Sequence, residues 1–172
     1  GALRSNKGLE DVPGIAYRAE GRTRVNPRRD RVRGLSELPW PEWSLFPMKA
    51  YADGGHQFGV GGTISMLLLA SRGCPFQCTF CSSPQMWGTR WEARLPEEVI
   101  DEILFYMDQY NATNFDFFDL TAIIRKDWIV KFSKLIIDRN ISITYQLPLG
   151  TRSEALDEEA LGFLYESGCR EI

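Results

Sequence analysis

Downstream of residue 63 the apolar positions fall into two alternating rhythms. Residues 64–70 form an apolar run of strand length, the pattern of a strand buried on both faces of a parallel sheet. Pro96 then opens a segment in which Val99, Ile100, Ile103, Leu104 and Met107 recur at helical spacing, with Glu97 and Glu98 set against the positive end of the helix dipole. A strand over 114–120 follows, then a helix over about 125–139 with Trp128, Phe132, Leu135 and Ile136 along one side, then a strand over 141–147. Asp157 is a good N-cap for a third helix that stops at Gly168, and residues 170–172 begin a fourth strand. Strand and helix in alternation predict parallel βα units.

The upstream third reads differently. Residues 8–27 alternate around Ala19-Glu20-Gly21, and Ile15, Tyr17, Thr23 and Val25 fit a small β-hairpin. Six arginines then crowd into twelve residues: Arg22, Arg24, Arg28, Arg29, Arg31 and Arg33. Such a run can meet phosphates, but no stacking aromatics are interleaved, so a solvated linker is the better reading and nucleic acid is not the expected partner. In residues 35–51 the prolines Pro39, Pro41 and Pro47 break any regular element, yet Trp40, Trp43, Leu45, Phe46, Met48 and Tyr51 are too apolar to remain in water. This strap must lie against a surface. Gly54, Gly55, Gly59, Gly61 and Gly62 surround His56, but they precede a strand instead of following one, which excludes a phosphate loop. His56 reads as an exposed loop residue.

Composition adds bounds. With 172 residues, 44% of them hydrophobic and 25% charged, the chain is long enough for a real core and ordinary for a globular protein. Its longest apolar run is far too short to cross a bilayer, no signal peptide is seen, and a cytoplasmic location is expected. The net charge of -3 hides an asymmetry, because residues 1–60 carry ten basic against seven acidic side chains and residues 61–172 carry ten against sixteen. The start without methionine and the stop at Ile172 within a nascent strand suggest a piece of a longer chain.

Three of the four cysteines, Cys74, Cys78 and Cys81, stand within eight residues of SRGCPFQCTFCSS. That spacing brings three thiolates to one side of a tight loop. Structural zinc takes four ligands, and the fourth would have to be His56 or the distant Cys169, neither with a ligand-like neighbour. A disulfide framework fits three clustered cysteines and one distant one no better. An iron-sulfur cluster with one metal position left open fits the count.

The pattern C-x-x-x-C-x-aromatic-C resembles the signature of the radical S-adenosylmethionine (radical SAM) superfamily. The resemblance implies that Cys74, Cys78 and Cys81 bind three irons of a 4Fe-4S cluster and that S-adenosylmethionine chelates the fourth. A one-electron reductant such as a flavodoxin or ferredoxin is the implied partner; reductive cleavage then gives a 5'-deoxyadenosyl radical that abstracts hydrogen from a small-molecule substrate. The cofactors carry that chemistry while the protein positions and shields. The wider phrase, SRGCPFQCTFCSSP followed by RLPEEVIDEI from Arg94 to Ile103, resembles the subgroup with a cobalamin-binding domain ahead of the radical domain, which includes methyltransferases and ring-forming cyclases. It implies a partial (β/α)6 TIM-like barrel of which residues 61–172 supply about three βα units. Residues 1–60 would be a connector following a cobalamin-binding domain, with cobalamin held mainly by that domain.

In such barrels the site lies at the carboxyl ends of the strands. The resemblance therefore nominates Asp119, where the family receives the amino group of S-adenosylmethionine; many subgroup members have two acids there, and here Leu120 follows. Gln146 and Arg152 are the corresponding candidates from the next unit, and Phe80 occupies the family's aromatic position close to the adenine. Met86 and Trp87 are a wall over the cofactors or plain packing, and Cys169 is a buried structural thiol. Two further readings stay open: a cobalamin-independent radical SAM enzyme such as a methylthiotransferase, and a non-catalytic metal-binding module. Residues 1–172 alone are expected to be inactive.

Overall fold

The computed structural model describes residues 8–28, 34–57 and 64–172, and the candidates Arg29, Arg31, Arg33, Gly59, Gly61 and Gly62 lie outside the described residues. The chain divides into two compact units, Gly1–Arg33 and Gly34–Ile172. In the first, β1 (Ala16–Ala19) pairs antiparallel with β2 (Arg22–Val25). Glu20 and Gly21 both take positive φ, 52° and 72°, which is the turn that matches the twist of a tight hairpin. Asn26 Nδ2 donates to the carbonyls of Leu9 and Val12, both at 2.7 Å, and ties the preceding 3-10 turn to the hairpin.

The second unit runs α1 (Met48–Asp53), β3 (Ser65–Leu68), β4 (Ser71–Arg72), α2 (Ser83–Met86), β5 (Glu92–Ala93), α3 (Pro96–Tyr110), β6 (Asn114–Phe117), α4 (Lys126–Asp138), β7 (Thr144–Gln146), α5 (Glu158–Glu166) and β8 (Cys169–Glu171). Four of these strands make a parallel sheet in the order β3-β6-β7-β8. Met66, Leu68, Phe115, Phe117 and Tyr145 belong to one buried core with Ile100 and Ile103 of α3 and Phe132 and Ile136 of α4. The rings of Phe117, Phe132 and Tyr145 meet edge to face at 5.6 to 5.7 Å. Burying each such side chain contributes about 1.5–3 kcal/mol.

The opposite face of the sheet carries a polar network alongside Leu67. Ser65 Oγ donates to Asp116 at 2.6 Å, Asn114 Nδ2 to Ser65 Oγ at 2.7 Å and Thr144 Oγ1 to Asn114 Oδ1 at 2.8 Å, while Gln146 Nε2 donates to the other oxygen of Asp116. A cavity of about 280 Å³ lies against this face, lined among others by Tyr51, His56, Gln57 and Asp116.

The helix signals act where the sequence places them. Asp157 Oδ1 accepts the N–H of Ala160 at 2.9 Å to cap α5, and Glu98 reaches back to the N–H of Leu95 at 3.0 Å at the start of α3. The proline-rich strap departs from expectation, because it contains two 3-10 turns, Leu35–Glu37 and Trp43–Leu45, and then α1. Pro47 immediately precedes α1, where a missing N–H costs no helical bond, so this proline starts a helix instead of breaking one. The strap packs through its aromatics: the Trp40 ring lies 5.2 Å from Phe105 and 6.4 Å from Tyr106 of α3. Among the described residues no helix is long and apolar enough to cross a membrane.

Candidate metal centre

The cysteine loop leaves the carboxyl end of β3 through β4 and returns through β5. Ser71 pairs with Ala93 and Arg72 with Glu92, and the Arg94 N–H donates to the Ala70 carbonyl at 2.8 Å. Between these strands Gly73 has φ +85°, and a Cβ on it would stand 2.0 Å from the Arg90 carbonyl oxygen. No other residue type fits there. Arg94 fastens β5 to the helices behind it. Its Nη1 pairs with the Glu102 carboxylate, Nη2 donates to the Glu98 carbonyl at 3.1 Å, and its own carbonyl accepts from Trp128 Nε1 at 2.7 Å. Glu102 also accepts the Tyr106 hydroxyl at 2.7 Å, and burial together with this carboxylate pushes the phenol well above its ordinary range.

The end of β6 supports the loop from below. Asp119 is fully buried; one carboxylate oxygen accepts the Ala70 N–H at 3.1 Å and the other accepts the Ser71 hydroxyl. Burial raises its pKa to about 6, against the lowering effect of those hydrogen bonds. Two residues on, Thr121 Oγ1 lies 3.3 Å from Cys74 Sγ and 2.9 Å from the Leu120 carbonyl.

On the loop itself the Cys81 N–H donates to the Cys78 carbonyl at 3.0 Å, and the Ser83 N–H at the start of α2 lies 3.4 Å from Cys81 Sγ. Arg152 sits with its guanidinium 4.0 Å from the centre of the Phe76 ring, between Cys74 and Cys78 in sequence. Its two bonds to Glu154, at 3.1 and 2.6 Å, raise its pKa first, and the nearby Cys78 and Cys74 add to the shift. Arg72 packs 5.9 Å from the centre of the Trp87 ring. Cys74 and Cys78 are half-buried and Cys81 is exposed, and Phe80 beside it is 92% exposed.

Of the residues nominated by sequence, Cys74, Cys78, Cys81 and Phe80 share one loop, Arg152 stacks on Phe76 of that loop, and Asp119 is bonded to Ala70 and Ser71 at its base. Gln146 instead belongs to the polar face of the sheet, buried against Asp116. Cys169 opens β8, buried, with its thiol pushed up to about 11 by desolvation. Thr121, Phe76 and Ser71 make contacts that sequence reasoning did not assign. Thr121 alone had a usable signal, since it follows a strand end by the same rule that nominates Asp119.

Among the described residues no three cysteine, histidine or carboxylate side chains are drawn together closely enough to hold a metal ion as the loop stands. The donor set nevertheless suits an iron-sulfur cluster. Three thiols share one loop, and the Ser83 backbone N–H is directed at the Cys81 sulfur, as favours a thiolate ligand, while the Thr121 hydroxyl stands beside the Cys74 sulfur.

A family model, the radical SAM superfamily, matches residues 68–172. Over 171 residues the chain is 30% identical to an uncharacterized methyltransferase of Pyrococcus horikoshii, covering 99% of this chain and 35% of that protein. It is 25% identical to the cytidylyl-2-hydroxyethylphosphonate methyltransferase of Streptomyces wedmorensis, covering 99% and 36%. The chain thus spans about a third of the length of these curated relatives. Among solved structures it superposes with a TM-score of 0.71 on the cobalamin-dependent S-adenosylmethionine radical enzyme OxsB, at 20% identity, covering 97% of this chain and 24% of that one. The radical S-adenosylmethionine methyltransferase TsrM from Kitasatospora setae gives a TM-score of 0.67 at 19% identity, covering 98% and 33%. At such identities these two establish the fold alone. The family match runs from the last residue of β3 through the cysteine loop and the rest of the parallel sheet, and the chain belongs to the radical SAM superfamily.

Proposed function

We propose that this chain carries the cluster-binding part of a cobalamin-dependent radical SAM methyltransferase or cyclase. The observation that carries the reading is the three-cysteine loop at the carboxyl end of β3, stapled by β4 and β5, with Thr121 and Ser83 turned toward its sulfurs. Cys74, Cys78 and Cys81 would hold three irons of a 4Fe-4S cluster. With S-adenosylmethionine at the remaining iron, such a cluster supplies one-electron reductive cleavage of the sulfonium. Phe80, exposed beside Cys81, offers an apolar wall for the adenine, and Arg152, poised on Phe76, offers a planar cation for a carboxylate.

The four parallel strands are read as the first arc of a partial (β/α)6 barrel, with the hairpin and strap as its connector. The finer assignment draws support from the relatives, which include the methyltransferases above and the anaerobic magnesium-protoporphyrin IX monomethyl ester cyclase of Synechocystis, 28% identical over 143 residues. A one-electron reductant and a small-molecule substrate complete the expected partners, in the cytoplasm. Anaerobic iron and sulfide reconstitution followed by electron paramagnetic resonance tests the reading. A 4Fe-4S signal in the reduced sample that changes on adding S-adenosylmethionine is the expected result. A well-folded preparation that binds zinc and assembles no cluster would overturn it.

A further inference from the structure

We propose that Asp119 is a positioning residue that latches the cysteine loop to the end of β6, and not a ligand to the amino group of S-adenosylmethionine. The inference rests on the cluster reading above for its functional meaning, although the latch itself is a property of the bare chain. Asp119 is 0% exposed, whereas the loop presents Phe80 and Cys81 to the open side. A group that receives a cofactor's ammonium must be reachable from that side, and Asp119 is not.

Its hydrogen-bonding capacity is also directed elsewhere. The Ala70 N–H and the Ser71 hydroxyl each occupy one oxygen, and both donors lie just before Gly73 and Cys74. The same short segment then reaches Cys74 itself through Thr121. Residues 119–121 therefore hold the loop at its base and at its first sulfur, and they fix where Cys74 stands relative to the sheet. An acid at this strand end acts on the metal site through Ser71 and the backbone, by geometry and not by contact.

Three variants of the full-length protein separate the roles: Asp119→Ala, Asp119→Asn and Ser71→Ala, with the Ser71→Ala/Asp119→Ala pair to close the cycle. In cluster-free protein the rate of Cys74 alkylation by iodoacetamide reads the latch directly. We expect it to rise several-fold in Asp119→Ala and in Ser71→Ala, with the pair no worse than Asp119→Ala alone, and to return most of the way in Asp119→Asn, which still accepts through its amide oxygen. After reconstitution, iron per chain should fall in the same order, while the cluster that does form binds S-adenosylmethionine as in wild type.

An unchanged alkylation rate in both alanine variants would sink the latch. So would Asp119→Ala that keeps its full cluster but binds S-adenosylmethionine about tenfold or more weakly, the loss expected for a charge-assisted hydrogen bond to the cofactor. If wild-type protein assembles no cluster, the proposed function fails, and the alkylation rates still decide the latch.

Discussion

Replacing Arg94 by methionine removes the charge that lets a carboxylate sit inside the fold. Arg94 is 9% and Glu102 2% exposed, and the ion pair between them is joined by the Tyr106 hydroxyl and the Glu98 carbonyl. Methionine fills much of the arginine stem, so little cavity is created. What remains is a buried carboxylate that keeps the Tyr106 phenol as a side-chain donor. Breaking a buried pair from one side costs about 3–5 kcal/mol, a large part of the roughly 5–15 kcal/mol that a domain possesses. In urea, with a slope of about 1–3 kcal/mol per molar, the midpoint should fall by more than about 1 M.

The double variant Arg94→Met/Glu102→Gln should recover more than half of the loss. The neutral amide keeps an acceptor for Tyr106 and carries donors for the carbonyls that Arg94 vacates. Tryptophan fluorescence across a urea series on wild type, the two single variants Arg94→Met and Glu102→Gln, and the double variant gives the cycle. A cost below about 1 kcal/mol for Arg94→Met, or a double variant no more stable than the single, would refute the claim that charge burial sets the cost.

Gly73→Ala forces a Cβ against the Arg90 carbonyl at a left-handed backbone position, so the β4–β5 staple must open; reconstituted protein should retain less iron than wild type, and full retention would mean that the staple is dispensable. Asp119 adds a pH dependence. Its folded pKa, about 6, lies above the ordinary 3.8, so its contribution to stability is complete below about pH 4 and is lost as pH rises through 6, a change of about 3 kcal/mol. Asp119→Asn should flatten that part of the profile, measured as urea midpoints from pH 4 to 8, and an unchanged slope would show that some other group is responsible.

The helices were largely legible because their signals are local. Pro96, Asp157 and Gly168 mark ends that the structure keeps, with α4 at Lys126–Asp138 inside the expected 125–139. The strands are shorter than the apolar runs. The apolar pattern predicts one strand over 114–120, yet the strand ends at Phe117, with one further bond from the Phe118 N–H to the Leu68 carbonyl, and Asp119 then bonds to Ala70 at the base of the cysteine loop. The β4–β5 staple had no readable sign, because two-residue strands have no periodicity and their partners lie about twenty residues apart. The spacing of the cysteines marks their loop as the candidate metal site from sequence alone. The grip of Thr121 on Cys74 and of Arg152 on Phe76 depends on how separate βα units come together, which no single segment encodes.

The polar face of the sheet has a consequence for how the strands find one another. β3, β6 and β7 are only three or four residues long, and parallel strands lack a hairpin turn to set their alignment. A slip of one residue would turn Asp116, Asn114 and Gln146 toward Phe132 and Ile103, burying amides and a carboxylate among hydrocarbon. A slip of two would restore the alternation but separate Ser65 from Asn114 and Asp116, leaving their bonds unmade. Only one alignment satisfies both faces, so the side chains that add least to the apolar core select the pairing on which the position of the cysteine loop depends.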